Sequence, residues 1–165
     1  MKASDGQASK LGGASNYDEV FFIVKAHVEE VLGLHRAGLT LGLSSLSSGI
    51  GAYHVVGSNM IVLNRELLER VRRAEPPEIV SSFLYMLLLH EYLHSLGFMD
   101  EAQVRKTSEE VATRMLGGGH PASMLIRTPL TEIFPYLGSL HYAEHPESDV
   151  EIVRDFDSRS YPFIS

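Results

Sequence analysis

The amino-acid sequence predicts an α+β fold, a small three-stranded sheet packed with helices. Three observations carry this. Apolar residues from Val20 onward recur at helical intervals. Three short apolar runs between Leu39 and Leu63 are separated by Ser and Gly. Two long helix-period segments follow Pro77, divided by Gly97 and closed by three successive glycines.

Taken in chain order, residues 1–15 are rich in Ala, Ser, Gly and Lys without hydrophobic period and read as a flexible tail. Asn16 has the character of an N-cap, with Glu19 at capping-box spacing. Val20, Val24, Val28, Val31 and His35 then mark one helical face, which Gly33 or Gly38 ends. Leu39–Leu43, Ile50–Val56 and Met60–Leu63 read as strands, the last two joined by a turn at Gly57-Ser58-Asn59. Asn64 is placed to cap a helix from Arg65 to about Arg73, which Pro76-Pro77 terminates. The segment from Glu78 to Gly97 is apolar on most faces, as a central buried helix requires. Asp100 with Gln103 repeats the capping-box spacing, and Met99 with Val104 fits a hydrophobic staple for a helix ending near Leu116. Residues 16–143 therefore form one domain, followed by an acidic, partly ordered segment, 144–165.

Composition narrows the function classes. The net charge is −7, from 14 basic and 21 acidic residues, which disfavours a nucleic-acid or anionic-membrane partner. No cysteine is present, so a bound metal would need nitrogen and oxygen ligands. Lys2 is followed by no apolar stretch, which argues against a signal peptide, and Ile79–Leu89 is too short to span a bilayer. A soluble, cytoplasmic protein is the expectation.

The run His90-Glu91-Tyr92-Leu93-His94 carries the chemistry. Two histidines four apart project from one helical face, one turn above the other, and can share one zinc ion. Glu91 lies about 100° round the helix, where its carboxylate can act on water rather than on the metal. Zinc acidifies the water and Glu91 takes its proton during attack on a carbonyl. These three polar residues interrupt the most apolar helix of the chain, directly after Leu87-Leu88-Leu89. Burying them there is costly unless a metal or hydrogen bonds compensate. The expected function is thus zinc-dependent hydrolysis of peptide or protein substrates, with Glu91 catalytic and His90 and His94 as ligands.

The third ligand is open among three residues. Asp100 stands where the string His90-Glu91-x-x-His94-x-x-Gly97-x-x-Asp100, which resembles the metzincin pattern, usually has a histidine; it also has the position of a helix cap. Glu109 falls one turn before Ala112, within an apolar stripe with Ala102 and Leu116 that adjoins Val104, Val111 and Met115, so it is expected to face inward and ranks first. Glu101 opens the helix, where the helix dipole favours a carboxylate in any case. Glu110 points away from both stripes.

From about Leu39 to Leu116 the chain resembles the minimal gluzincins, small soluble archaeal-type zinc peptidases. The likeness rests on strands, the segment Asn59–Asn64, a helix, the string from His90 to Glu101 and a second helix containing Glu109-x-x-Ala112. It implies a zincin-type active-site helix followed by a glutamate helix. It also implies a strand, Tyr53–Val56 or Met60–Leu63, that pairs with extended substrate. Self-inhibition by a C-terminal segment beyond Gly119 is a further implication. Two rival readings differ in class. One is a catalytically inactive zinc-binding or interaction module. The other is a metal-dependent RNA hydrolase with three spaced histidines, to which His90, His94 and Asp100 align; that family carries glycine where Glu91 stands. His54 could contact substrate or an oxyanion, although a half-exposed strand histidine is the commoner situation. His141 and His145 read as surface.

Overall fold

The structure is a computed structural model that describes residues 2–14, 16–45, 51–54, 57–136, 150–154, 156 and 157. Helix α1 spans Lys2–Gly12 and α2 Tyr17–Leu32. Strands β1 (Thr40–Ser44), β2 (Ala52–His54) and β3 (Met60–Asn64) follow, then α3 (Arg65–Ala74), α4 (Pro77–Ser95), α5 (Glu101–Leu116), α6 (Pro121–Arg127), α7 (Leu130–Ile133) and β4 (Glu151–Ile152).

The α+β class holds, with one strand more than expected. The sheet is mixed and four-stranded, in the order β2-β3-β1-β4. β1 and β3 run parallel with Leu41 opposite Ile61, whereas β2 is antiparallel to β3 with Tyr53 opposite Val62. β4 pairs antiparallel with β1. It is only two residues long and both are exposed, so it leaves no hydrophobic alternation to read.

Residues 2–12 correct a second expectation, because they form a helix rather than a tail. α1 packs on α2, α4 and α5, and Leu11 is 1% exposed. Its anchors are one leucine and a polar contact: Gln7 Oε1 accepts from the Nε2–H of His27 at 2.9 Å. One buried apolar residue in a helix gives no periodicity. His27 is buried in α2, and its Nδ1 accepts from the Tyr85 hydroxyl at 2.7 Å.

The capping residues read from the sequence act as caps. Asn16 accepts from Glu19 N–H at 2.8 Å, Asn64 from Glu66 and Leu67 N–H, and Asp100 from Gln103 N–H at 2.9 Å. Each satisfies helix-terminal donors that would otherwise lack partners.

α4 is the centre of the fold, in contact with α1, α2, α3, α5, α6 and two strands. Phe83, Tyr85, Leu88, Leu89, Tyr92 and Leu93 are fully buried along it, each contributing about 2 kcal/mol of apolar burial. Phe21 of α2 meets the Tyr92 ring edge-on at 5.3 Å and stacks on Phe156 at 4.5 Å. That packing fixes the helix from which His90, Glu91 and His94 project. Gly51, just before β2, passes so close to α4 that a Cβ there would lie 2.7 Å from Leu87 Cδ2. The glycine therefore lets the β2 edge of the sheet lie against the same helix.

Among the described residues no helix is long and apolar enough to cross a membrane. Within the segment 144–165, residues 150–154, 156 and 157 are described. They lie at the edge of the sheet opposite β2, with Phe156 and Asp157 buried. The rest of that segment, and with it His141 and His145, lies outside the described residues.

Candidate metal centre

His90 and His94 meet edge-on at a ring-centroid distance of 4.9 Å, both half-buried in the C-terminal half of α4. Residues 96–99 then turn the chain back, with Gly97 in a positive-φ conformation (109°) that favours glycine. The reversal lays the first turn of α5 over the two imidazoles.

Glu101 is the carboxylate that arrives there. Its Oε1 lies 2.9 Å from His90 Nε2 and its Oε2 lies 2.9 Å from His94 Nε2. One ligand atom from each of the three residues fits within a mutual distance of 4.8 Å. Four ligands about 2.1 Å from a tetrahedral zinc stand roughly 3.4 Å apart, so the group is of suitable size for one ion.

The donor chemistry fits as well. His94 Nδ1 donates to the Phe98 carbonyl at 2.7 Å, which fixes the tautomer that leaves the Nε2 lone pair free for a metal. Burial holds the His90 imidazole below its ordinary pKa, outweighing the raising effect of Glu101, so His90 too favours the neutral, ligating form. Burial raises the Glu101 pKa, but the two imidazoles outweigh it and the net shift is downward, towards the carboxylate.

The other two third-ligand candidates lie elsewhere. Asp100 is occupied as the cap of α5. Glu109 faces Arg127, with Oε2 3.9 Å from its Nε, and is not in the group. The reason is helical geometry: eight residues carry Glu109 about 12 Å along α5 and about 80° round it from Glu101. The apolar stripe that favoured Glu109 is also different in the fold. Ala102 is exposed, and the buried face comprises Val104, Ser108, Val111, Ala112 and Leu116. Glu110 forms an exposed pair with Arg114, as a solvated glutamate should.

Glu91 is buried rather than exposed like Glu101. It is 5% exposed and its Oε1 has no hydrogen-bond partner among the described residues. Burial, reinforced by the nearby Glu101 charge, pushes its pKa up to about 8. An isolated carboxylate is costly in such a place, and a neighbouring divalent cation is the kind of group that offsets the cost.

Glu91, His94 and Glu101 line an open cleft of about 230 Å³ together with Ala52, Tyr53 and His54 of β2. Met99, 57% exposed, completes the lining instead of withdrawing as a staple. His54 Nε2 donates to the Ser58 carbonyl at 3.1 Å, which leaves Nδ1 as an acceptor. Burial keeps this imidazole neutral, so it cannot donate to an oxyanion through Nδ1.

Two supports were not legible in the sequence. The Phe98 carbonyl had no side-chain signal, though Gly97 marks the turn that presents it. Arg36 spans the gap between helix and sheet: Nη1 donates to Ser95 O at 2.7 Å and Nη2 to Ser58 O at 3.1 Å. One guanidinium thus satisfies a helix-terminal carbonyl and holds the β2–β3 turn beside α4.

No family model matches the chain, and comparisons with curated proteins and with solved structures return no match. The reading of this site therefore rests on its own chemistry.

Proposed function

We propose that the chain is a zinc-dependent metallopeptidase with His90, His94 and Glu101 as the metal ligands and Glu91 as the general base. The observation that carries the proposal is the buried Glu91 carboxylate, unpartnered at Oε1, beside a three-residue ligand group in an open cleft. Zinc bound there supplies Lewis acidity, which acidifies water and polarises a carbonyl oxygen. Glu91 takes the proton of the attacking water and passes it to the leaving amine. Burial favours the protonated form of Glu91, which is the form needed for the second half of that transfer. β2 is at the edge of the sheet and faces the cleft, so an extended peptide can add to it through backbone hydrogen bonds. This gives the site its zincin-like character: an edge strand, a histidine helix and a glutamate helix.

The deciding experiment is metal content by mass spectrometry on untagged protein purified without chelator, followed by assays on peptide libraries. About one zinc per chain is expected. Glu91→Ala should keep the metal and lose hydrolysis, whereas His94→Ala should lose both. No metal after zinc is added back would sink the proposal.

A second reading, a non-catalytic zinc or interaction module, draws support from one feature. Glu101 already lies 2.9 Å from both imidazoles, so protonation of the histidines would hold the group together without a metal. It would prevail if Glu91→Ala left every measured activity unchanged with zinc bound.

A further inference from the structure

His90 also lines a second hollow, of about 220 Å³, between α4, α5 and α6. Its wall is apolar where Met86, Leu125 and Ile126 meet, and polar where Arg105 and Ser108 of α5 enter it. Two features of these polar residues are unusual.

Arg105 has neither a hydrogen bond nor an ion pair among the described residues, although acidic residues lie one turn away on either side of it. Glu101 is engaged by the two histidines, and Glu109 by Arg127. Arg105 is exposed, and an acid four residues away is the neighbour with which a helical cation can pair. Here both such acids have other partners, and the guanidinium is left over at the mouth of an apolar hollow. Ser108 is 2% exposed, and its Oγ has no partner among the described residues. A buried hydroxyl without a partner is unfavourable in the free protein and is relieved by a ligand that can hydrogen-bond to it.

The geometry points to a binding site for the C-terminal residue of a peptide, its apolar side chain among Met86, Leu125 and Ile126 and its free carboxylate on Arg105 and Ser108. The inference rests on the metallopeptidase reading for its chemistry, because His90 is common to the hollow and the ligand group. It makes the enzyme a carboxypeptidase for apolar C-terminal residues. Water is added across the last peptide bond: its oxygen joins the carbonyl carbon, the C–N bond breaks, and the proton held by Glu91 goes to the departing amine. The products are the shortened peptide and a free apolar amino acid.

The test compares a peptide ending in leucine as the free acid with the same peptide as the C-terminal amide, on the zinc-loaded full chain. Calorimetry with N-acetyl-leucine and its amide runs beside it, so that binding is read without turnover. The acid should bind and be cleaved at least about tenfold better than the amide, the scale expected for a charge-assisted contact to Arg. Arg105→Gln should bring the two within about twofold of each other. Ser108→Ala should weaken the acid while raising the thermal midpoint, since it removes the unpartnered hydroxyl. Equal treatment of acid and amide, or a preference that survives Arg105→Gln, overturns the inference. Cleavage of internal bonds regardless of the terminus also overturns it but leaves the peptidase reading standing. Arg105-dependent binding of the acid with no hydrolysis of any peptide retains the carboxylate site and sinks the peptidase reading.

Discussion

The weight of the site falls on Glu101, an exposed residue at the start of a helix with an ordinary reason to be acidic there. Its side chain is 73% exposed, so its geometry is set less by packing than by the two imidazoles that it meets. Loss of one ligand in three should lower zinc affinity about 100-fold or more. Glu101→Gln is therefore expected to release zinc in competition with a chelating dye, while Glu109→Gln holds it as the parent chain does. Equal affinities for the two variants would return Glu109 to the centre. Of these two glutamates the sequence ranks Glu109 first, whereas the fold brings Glu101 to the histidines. His90, Glu91 and His94 are legible because all three lie on one helix of known period. The carboxylate that joins the two histidines depends on where a five-residue turn sets down the next helix, and that turn contains Gly97 and the Phe98 carbonyl that accepts from His94. The sequence-based ranking relied on Ala102 as part of a buried stripe, yet Ala102 faces solvent. Alanine is compatible with either side of a helix and marks a core face poorly.

Helices were easier to read than their neighbours in space. α2, α3 and α5 begin at the caps that Asn16, Asn64 and Asp100 announce, because a cap and its helix are contiguous in sequence. α1 was hidden because it is held by contacts far along the chain, above all by His27 through Gln7. That contact has a pH signature. Burial, with smaller contributions from Lys10 and His120, lowers the His27 pKa from 6.5 to about 4. The unfolded chain therefore binds a proton between about pH 6.5 and 4 that the folded chain refuses. Stability should fall as pH falls through this window, by about 3 kcal/mol in full, and His27 should add no pH dependence above it. Urea midpoints at stepped pH would show this, and His27→Gln should flatten the His27 part of the slope. A slope unchanged in His27→Gln would dismiss the histidine as its source. The proposed metal site joins elements in a comparable way, because its candidate ligands come from both α4 and α5. Zinc at 100 times its dissociation constant should stabilise the fold by about 3 kcal/mol, roughly 5–10 °C in midpoint. Chelation should reverse that gain in the parent chain and have little effect in Glu101→Gln.

At the scale of the whole molecule, the site depends on a sheet whose two edges serve different purposes. The β2 edge faces the cleft, and the β4 edge is closed by residues from the far end of the sequence. Closure is secured by Asp157, whose carboxylate pairs with Lys25 of α2 inside the core and accepts from Leu39 N–H at 2.9 Å. With Phe156 stacked on Phe21, this joins α2, the entry to β1 and residues 156 and 157 into one unit. Nothing local predicts it: a lysine in a helix and an aspartate in an acidic tail each read as solvated, and only their meeting across 132 residues makes them core. A buried charge that loses its partner is destabilising by about 3–5 kcal/mol, whereas removing both charges together costs much less. Asp157→Asn is the sharpest probe. It keeps an oxygen for Leu39 and tolerates the positive φ of 57° at this position, yet removes the Asp157 charge from beside the Lys25 ammonium. Urea unfolding should show a loss of about 3–5 kcal/mol for Asp157→Asn, with much of it recovered when Lys25→Met is added. The folded fraction of Asp157→Asn should still bind zinc with the parent affinity, because His90, His94 and Glu101 belong to α4 and α5. A loss of zinc affinity in the folded double variant would show instead that the closed edge of the sheet also positions the ligand helices.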